Sequence, residues 1–108
     1  MKLQGKWSLI TGASSGIGRE YALQLSEKGS NIIILARREK RLQDLKAEIL
    51  KKYPNCEVSI IVADLTKENE SQHIFDKVSS LGKNINILIN NAGVLGGLVL
   101  GVRSEEHT

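Results

Sequence analysis

Residues 11–18 read Thr11-Gly12-Ala13-Ser14-Ser15-Gly16-Ile17-Gly18, and this stretch decides the fold. Before it stands a short apolar run, Trp7 to Thr11, and after it Ile17, Tyr21 and Leu25 recur at intervals of four until Lys28-Gly29. A short apolar run giving way to helical spacing predicts a strand that turns sharply into a helix. The glycines are spaced G-x-x-x-G-x-G, and each position has a use. Gly12 lets the chain turn off the strand, Gly16 lets backbone approach a ligand with no Cβ in the way, and Gly18 lets the helix pack close to the sheet. Ser14 and Ser15 place hydroxyls beside unpaired N–H groups at the helix start. With the positive end of the helix dipole, and Ile17 within the same turn, they form a seat for a pyrophosphate. The simpler alternative is a glycine-rich turn with no ligand; the strand before and the amphipathic helix after favour the anion seat.

Outward from this turn the pattern repeats. Asn31 to Ala36 is β-branched and nearly continuous in apolar residues, as expected for a parallel strand covered on both faces, and Glu57 to Ala63 and Asn86 to Ile89 follow suit. A second helix carries Leu42, Leu45 and Ile49 on one stripe, with Arg38, Lys40, Arg41, Lys46, Lys51 and Lys52 elsewhere, and stops before Pro54. A third is expected after Thr66 as N-cap, with Glu68 and Glu70 in its first turn and Ile74, Val78 and Leu81 inward, ending before Gly82. Strands alternating with helices predict an α/β fold with a doubly wound parallel sheet.

The 108 residues fit one domain, long enough for a modest core but short for a protein that holds both a large cofactor and a substrate. A net charge of +3 with 25% charged residues does not argue for a nucleic-acid partner. Cys56 is the only cysteine, which excludes an internal disulfide or a cysteine-based metal cluster, and it is read as an idle thiol in a reducing compartment. No targeting segment or apolar run of membrane-spanning length is visible, so a cytoplasmic location is the default expectation.

The stretch TGASSGIG resembles the N-terminal signature of the classical short-chain dehydrogenases/reductases, and Asn90-Asn91-Ala92-Gly93, at the end of the fourth strand, resembles that family's second signature. The resemblance covers about Leu3 to Val94. It implies a Rossmann-type sheet of strand order 3-2-1-4, NAD or NADP as cofactor, and reduction of a carbonyl or oxidation of an alcohol.

Residues 1–102 are then expected to be the N-terminal part of such a domain, truncated after the fourth strand. Its uncovered edge would be lined by Ile85, Ile87, Leu88 and Ile89.

An NAD site places an acidic residue near the end of the second strand, on the ribose hydroxyls. Here the sequence is Leu35-Ala36-Arg37-Arg38, and a guanidinium can hold a 2′-phosphate in a bidentate way, which favours NADP over NAD. Arg37 matches the basic residue that has this meaning in the resembling family. Arg38 has two readings, a phosphate contact or a solvated side chain opening a basic helix. Asp64 and Leu65 follow the third strand; the resemblance gives them the adenine, by carboxylate and backbone N–H, and the alternative makes Asp64 a turn residue. Ala92 and Gly93 are small enough for backbone to approach a ribose. Asn90 is assigned to the cofactor, and Asn91 to bracing the neighbouring strand.

The resembling family works with a Ser and a Tyr-x-x-x-Lys pair, whose spacing puts both side chains on one helix face. Neither tyrosine here qualifies, since Tyr21 is followed by Leu25 and Tyr53 by Glu57. His73 and His107 have no visible partner, so the catalytic and metal-ligating sets within the chain are expected to be empty. The tail Arg103 to Thr108, RSEEHT, is the translation of the start of a common sequencing-library adapter, and is expected to be foreign to the fold. These residues are expected to bind the adenosine and pyrophosphate half of NADP without turnover. The parent protein is expected to be a homo-oligomeric reductase of a small carbonyl or alcohol, of 3-oxoacyl or steroid-like type, with neither nucleic acid nor a membrane span. The rivals are a noncatalytic dinucleotide-binding or redox-sensing module, and a basic interaction protein.

Overall fold

A sheet buried on both faces needs apolar residues at consecutive positions, and the two central strands have them. In the computed structural model, which describes residues 2–14, 16–64, 67 and 70–91, four parallel strands form one sheet. The elements follow in the order β1 (Trp7–Thr11), α1 (Gly16–Glu27), β2 (Asn31–Ala36), α2 (Glu39–Lys52), β3 (Val58–Val62), α3 (Glu70–Ser80) and β4 (Ile87–Asn90). The strand order is β3-β2-β1-β4, the doubly wound arrangement expected from the sequence. Expectations that fall on Ser15, Leu65, Thr66, Glu68, Ala92, Gly93 and the tail 103–108 lie outside the described residues.

Alternation along β1 and β2 divides the core into two layers. Trp7, Leu9, Ile33 and Leu35 point to one face, where Ile74 and Val78 of α3 cover them together with Ile61 and Ile85. Ile10, Ile32, Ile34 and Ala36 point to the other, against Ala22 of α1 and Leu42, Leu45 and Ile49 of α2. Leu9, Ile32, Ile33 and Ile34 are fully buried. Each such side chain contributes about 1.5–3 kcal/mol of transfer free energy. A serine stands within β1, on the α1 side, because its hydroxyl has a partner: Ser8 Oγ and Ser30 Oγ are 2.7 Å apart, both buried. β4 joins β1 through backbone pairing and through Trp7 N, which donates to Asn86 Oδ1 at 2.9 Å across 79 residues of chain.

The helical stripes of α2 and α3 pack as their spacing predicts, but α1 does not. Ile17 is 66% and Tyr21 41% exposed, whereas Gly18, Ala22 and Ser26 are buried. The packed face lies one residue further along, because small side chains let the helix axis approach the sheet. Ser26 is buried without cost in unmet polarity, since its hydroxyl donates to Ala22 O at 2.8 Å. Ile85 also departs from expectation. It lies buried beneath α3 beside Trp7 and Val78, so the edge that β4 presents is formed by the half-exposed Ile87, Leu88 and Ile89.

Cys56 sits at the edge of the sheet where the strands begin, and its Sγ–H donates to Ser30 O at 3.2 Å. Burial, and then the negative charge of Glu57, push its pKa from 9.0 up to about 11. A raised acid pKa favours the neutral thiol in the folded state. Its contribution to stability is therefore present below pH 9 and is lost as pH rises from there through about 11. At pH 8 the folded chain should react with iodoacetamide at least roughly ten-fold more slowly than the urea-unfolded chain, because only the thiolate attacks. Equal rates would contradict the burial described here.

Candidate functional site

Parallel pairing brings the carboxyl ends of all four strands to one edge. Thr11 pairs with Leu35 on one side and Asn90 on the other, and Ala36 pairs with Val62. The chain therefore leaves the sheet in register at Gly12, Arg37, Ala63-Asp64 and Asn91. With neighbouring strands about 4.8 Å apart, this edge extends roughly 14 Å. Open α/β sheets bind ligands outside it.

The glycine turn at the centre of this edge is fixed by backbone geometry. Gly12 has φ +64° and Gly16 φ +61°, in the left-handed region where a side chain is strained. Ala13 N donates to Leu35 O at 3.2 Å, tying the turn to β2. Gly18 answers a different demand, since a Cβ there would lie under 3.0 Å from both Gly12 O and Asn91 Nδ2. Asn91 Nδ2 in turn donates to Gly12 O at 3.3 Å, so the asparagine after β4 braces the glycine turn rather than the strand before it. Asn90 is tied as well: its Oδ1 accepts a hydrogen bond from Thr11 Oγ1 at 3.2 Å.

Charge follows the same plan. α2 and α3 carry Glu39 and Glu70 in their first turns, where a carboxylate complements the helix dipole, but α1 has no acid there. Arg19 occupies that turn instead, paired with Glu48 of α2. An N-terminus free of carboxylates, preceded by the half-buried Ser14 and opened by Gly16, is suited to an anion supplied from outside the chain. Ile17 projects from it into solvent.

Arg37 and Arg38 are exposed immediately beyond β2. Arg38 is also the N-cap residue of α2, extended at φ −101°, ψ 101°, with its carbonyl accepting Leu42 N at 3.2 Å and no cap bond from its side chain. Asp64 is half-buried after β3 and its carbonyl accepts Lys67 N at 3.1 Å, so a turn role is present whatever its carboxylate does. Gly12, Ser14, Gly16, Ile17, Gly18, Arg37, Arg38, Asp64 and Asn90 thus converge on one edge or the turn that rises from it. Ser15, Leu65, Ala92 and Gly93 belong to the same set but lie outside the described residues.

Two contributors escaped the sequence reading. Thr11 opens the glycine motif, yet only its place opposite Asn90 shows that its hydroxyl holds that amide. The Arg19 and Glu48 pair joins α1 to α2, and the only signal for it was a cation in a first helical turn. Tyr21 and Tyr53 stand on α1 and after α2, neither with a lysine at i+4, and His73 is exposed on α3. Among the described residues no three His, Cys, Asp or Glu side chains cluster as metal ligands.

Residues 6–107 match the family model described as short chain dehydrogenase. Human 17-beta-hydroxysteroid dehydrogenase type 3 is 36% identical over 99 residues, covering 92% of this chain and 31% of the relative. A very-long-chain 3-oxoacyl-CoA reductase from Coccidioides immitis is 40% identical over 93 residues, covering 84% of this chain and 26% of the relative. Among solved structures, the L-sorbose reductase of Gluconobacter frateurii, complexed with NADPH and L-sorbose, superposes with a TM-score of 0.78 at 31% identity, over 87% of this chain and 35% of that one. The chain therefore spans roughly a quarter to a third of the length of these three proteins.

Gly18→Ala should lower the unfolding free energy by about 1–3 kcal/mol, as overpacking does. Adding Asn91→Ala should not restore it, because the Gly12 carbonyl is backbone and cannot swing aside. Full recovery in the double variant, measured by urea denaturation, would show that the side chain and not the turn sets the limit.

Proposed function

We propose that this chain, which belongs to the short chain dehydrogenase family, carries the NADP-binding part of an oxidoreductase that interconverts a carbonyl and an alcohol. The observation that supports NADP over NAD is the pair of exposed guanidiniums directly beyond β2, where a site for an unphosphorylated ribose would use a carboxylate.

The residues present fit that cofactor by their chemistry. The amides at the start of α1, with Ser14 and Ser15, would hold the pyrophosphate. Arg37, with Arg38, would meet the 2′-phosphate as a planar, permanently charged donor. Asp64 and the Leu65 amide would take the adenine. At the far end, Ala92 and Gly93 would let the backbone close on the second ribose, and Asn90 would offer its Nδ2, its Oδ1 being engaged by Thr11. When bound, the cofactor supplies or accepts a hydride. The chain's own part is to seat and orient it, with the turn held rigid by Asn91 and Gly18.

The substrate we propose is a ketone on a largely apolar body, a 3-oxoacyl thioester or a steroid, supported by the names of the relatives. These 108 residues contain no Tyr-x-x-x-Lys pair, so proton transfer to that ketone is assigned to residues beyond them.

In the full-length protein NADPH should bind more tightly than NADH, and Arg37→Ala should erase roughly ten- to hundred-fold of that preference, the worth of a charge-assisted hydrogen bond. Titration of each nucleotide by its fluorescence measures both constants. Equal affinity of the unaltered protein for the two would overturn the NADP reading.

A further inference from the structure

The acids of α2 are unevenly engaged. Lys40 Nζ lies 3.7 Å from Asp44 Oδ2, and Glu48 Oε1 accepts Arg19 Nη2 from α1. Among the described residues, no carboxylate within ion-pair distance takes up Arg37, Arg38 or Arg41, the three guanidiniums around the start of α2.

Arg41 stands on a definite side of α2. Seven residues separate it from Glu48, and seven residues at 3.6 per turn fall about 20° short of two full turns. Both side chains leave the helix in nearly the same direction. That direction is toward α1, because the Glu48 carboxylate meets Arg19 in the first turn of α1. Helical side chains also lean toward their own N-terminus. A long side chain in the first turn of α2 therefore extends toward the carboxyl edge of the sheet, between the ends of β1 and β2. An adenosine ribose seated between the glycine turn and Arg37 would place its 2′ position there.

We infer that Arg41 is a third guanidinium of the 2′-phosphate subsite, reaching it from the α1 side while Arg37 reaches it from the end of β2. The Arg19 and Glu48 pair supports this arrangement by occupying the carboxylate that shares Arg41's face. The inference rests on the NADP reading, and it adds a specificity residue that the glycine and β2 motifs do not mark.

The test is calorimetry on the full-length protein with two probes, 2′,5′-ADP and 5′-AMP, which differ only in the phosphate at issue. Arg41→Ala should raise the Kd for 2′,5′-ADP roughly ten-fold and leave 5′-AMP unchanged, as expected for losing one charged hydrogen-bond donor. Arg41→Lys should recover part of the loss, since an ammonium keeps the charge but not the fork. If Arg41→Ala leaves 2′,5′-ADP unchanged while Arg37→Ala weakens it, the NADP reading stands and this inference falls. An equal loss for both probes would mean a damaged helix rather than phosphate recognition, and would also overturn it. If the unaltered protein does not distinguish the probes, the inference and the NADP reading fall together.

Discussion

At Gly18 the first turn of α1 comes so near the carbonyl of Gly12 that no Cβ fits between them. This contact sets the height of the helix above the sheet, the course of the glycine turn, and the position of Asn91, whose amide reaches the same carbonyl. The helix can sit so low only because its inward face is Gly18, Ala22 and Ser26. A larger residue at Gly18 would lift the N-terminus away from the edge where the strands end. The packing rule and the binding geometry are therefore one constraint, and the loop between β1 and α1 has little freedom to differ from what it is.

Electrostatics is arranged around that loop by omission as much as by placement. The other two helices neutralise their own N-termini with Glu39 and Glu70, while α1 leaves its own to an outside anion and sends the Arg19 guanidinium sideways to Glu48. The β2 end then contributes positive charge with no carboxylate in pairing range among the described residues. The anion proposed for the start of α1 is the dinucleotide pyrophosphate, and the one proposed for the end of β2 is a 2′-phosphate.

Much of this was legible in the sequence because the signals were local. A short apolar run marks β1 and a nearly continuous β-branched one marks β2, the Leu42, Leu45 and Ile49 stripe marks the inner face of α2, and the glycine spacing marks the turn. The inner face of α1 is not its apolar stripe for a physical reason: the large residues Ile17 and Tyr21 have the right spacing but the wrong size for a helix that must approach a turn backbone, and hydrophobicity does not report size. Ile85 was misassigned because an apolar residue before an edge strand looks the same whether it faces outward or folds under α3. Bonds between residues far apart in sequence are weakly marked in it: the register of β1 against β4 reveals Thr11 to Asn90, and the packing of α1 beside α2 reveals Arg19 to Glu48.

The β1 strand is joined to β4 across 79 residues. On a ribosome adding roughly 5–20 residues per second, β1 would wait about 4 to 16 seconds for that neighbour to be made. Through that interval its nascent backbone can recruit β2 on one flank but has nothing to satisfy the other. The strand at the heart of the finished sheet is thus a transient margin during biogenesis, and its Trp-Ser-Leu-Ile-Thr segment is the place where holdase chaperones, or a stray segment from another nascent chain, would compete for the same amides.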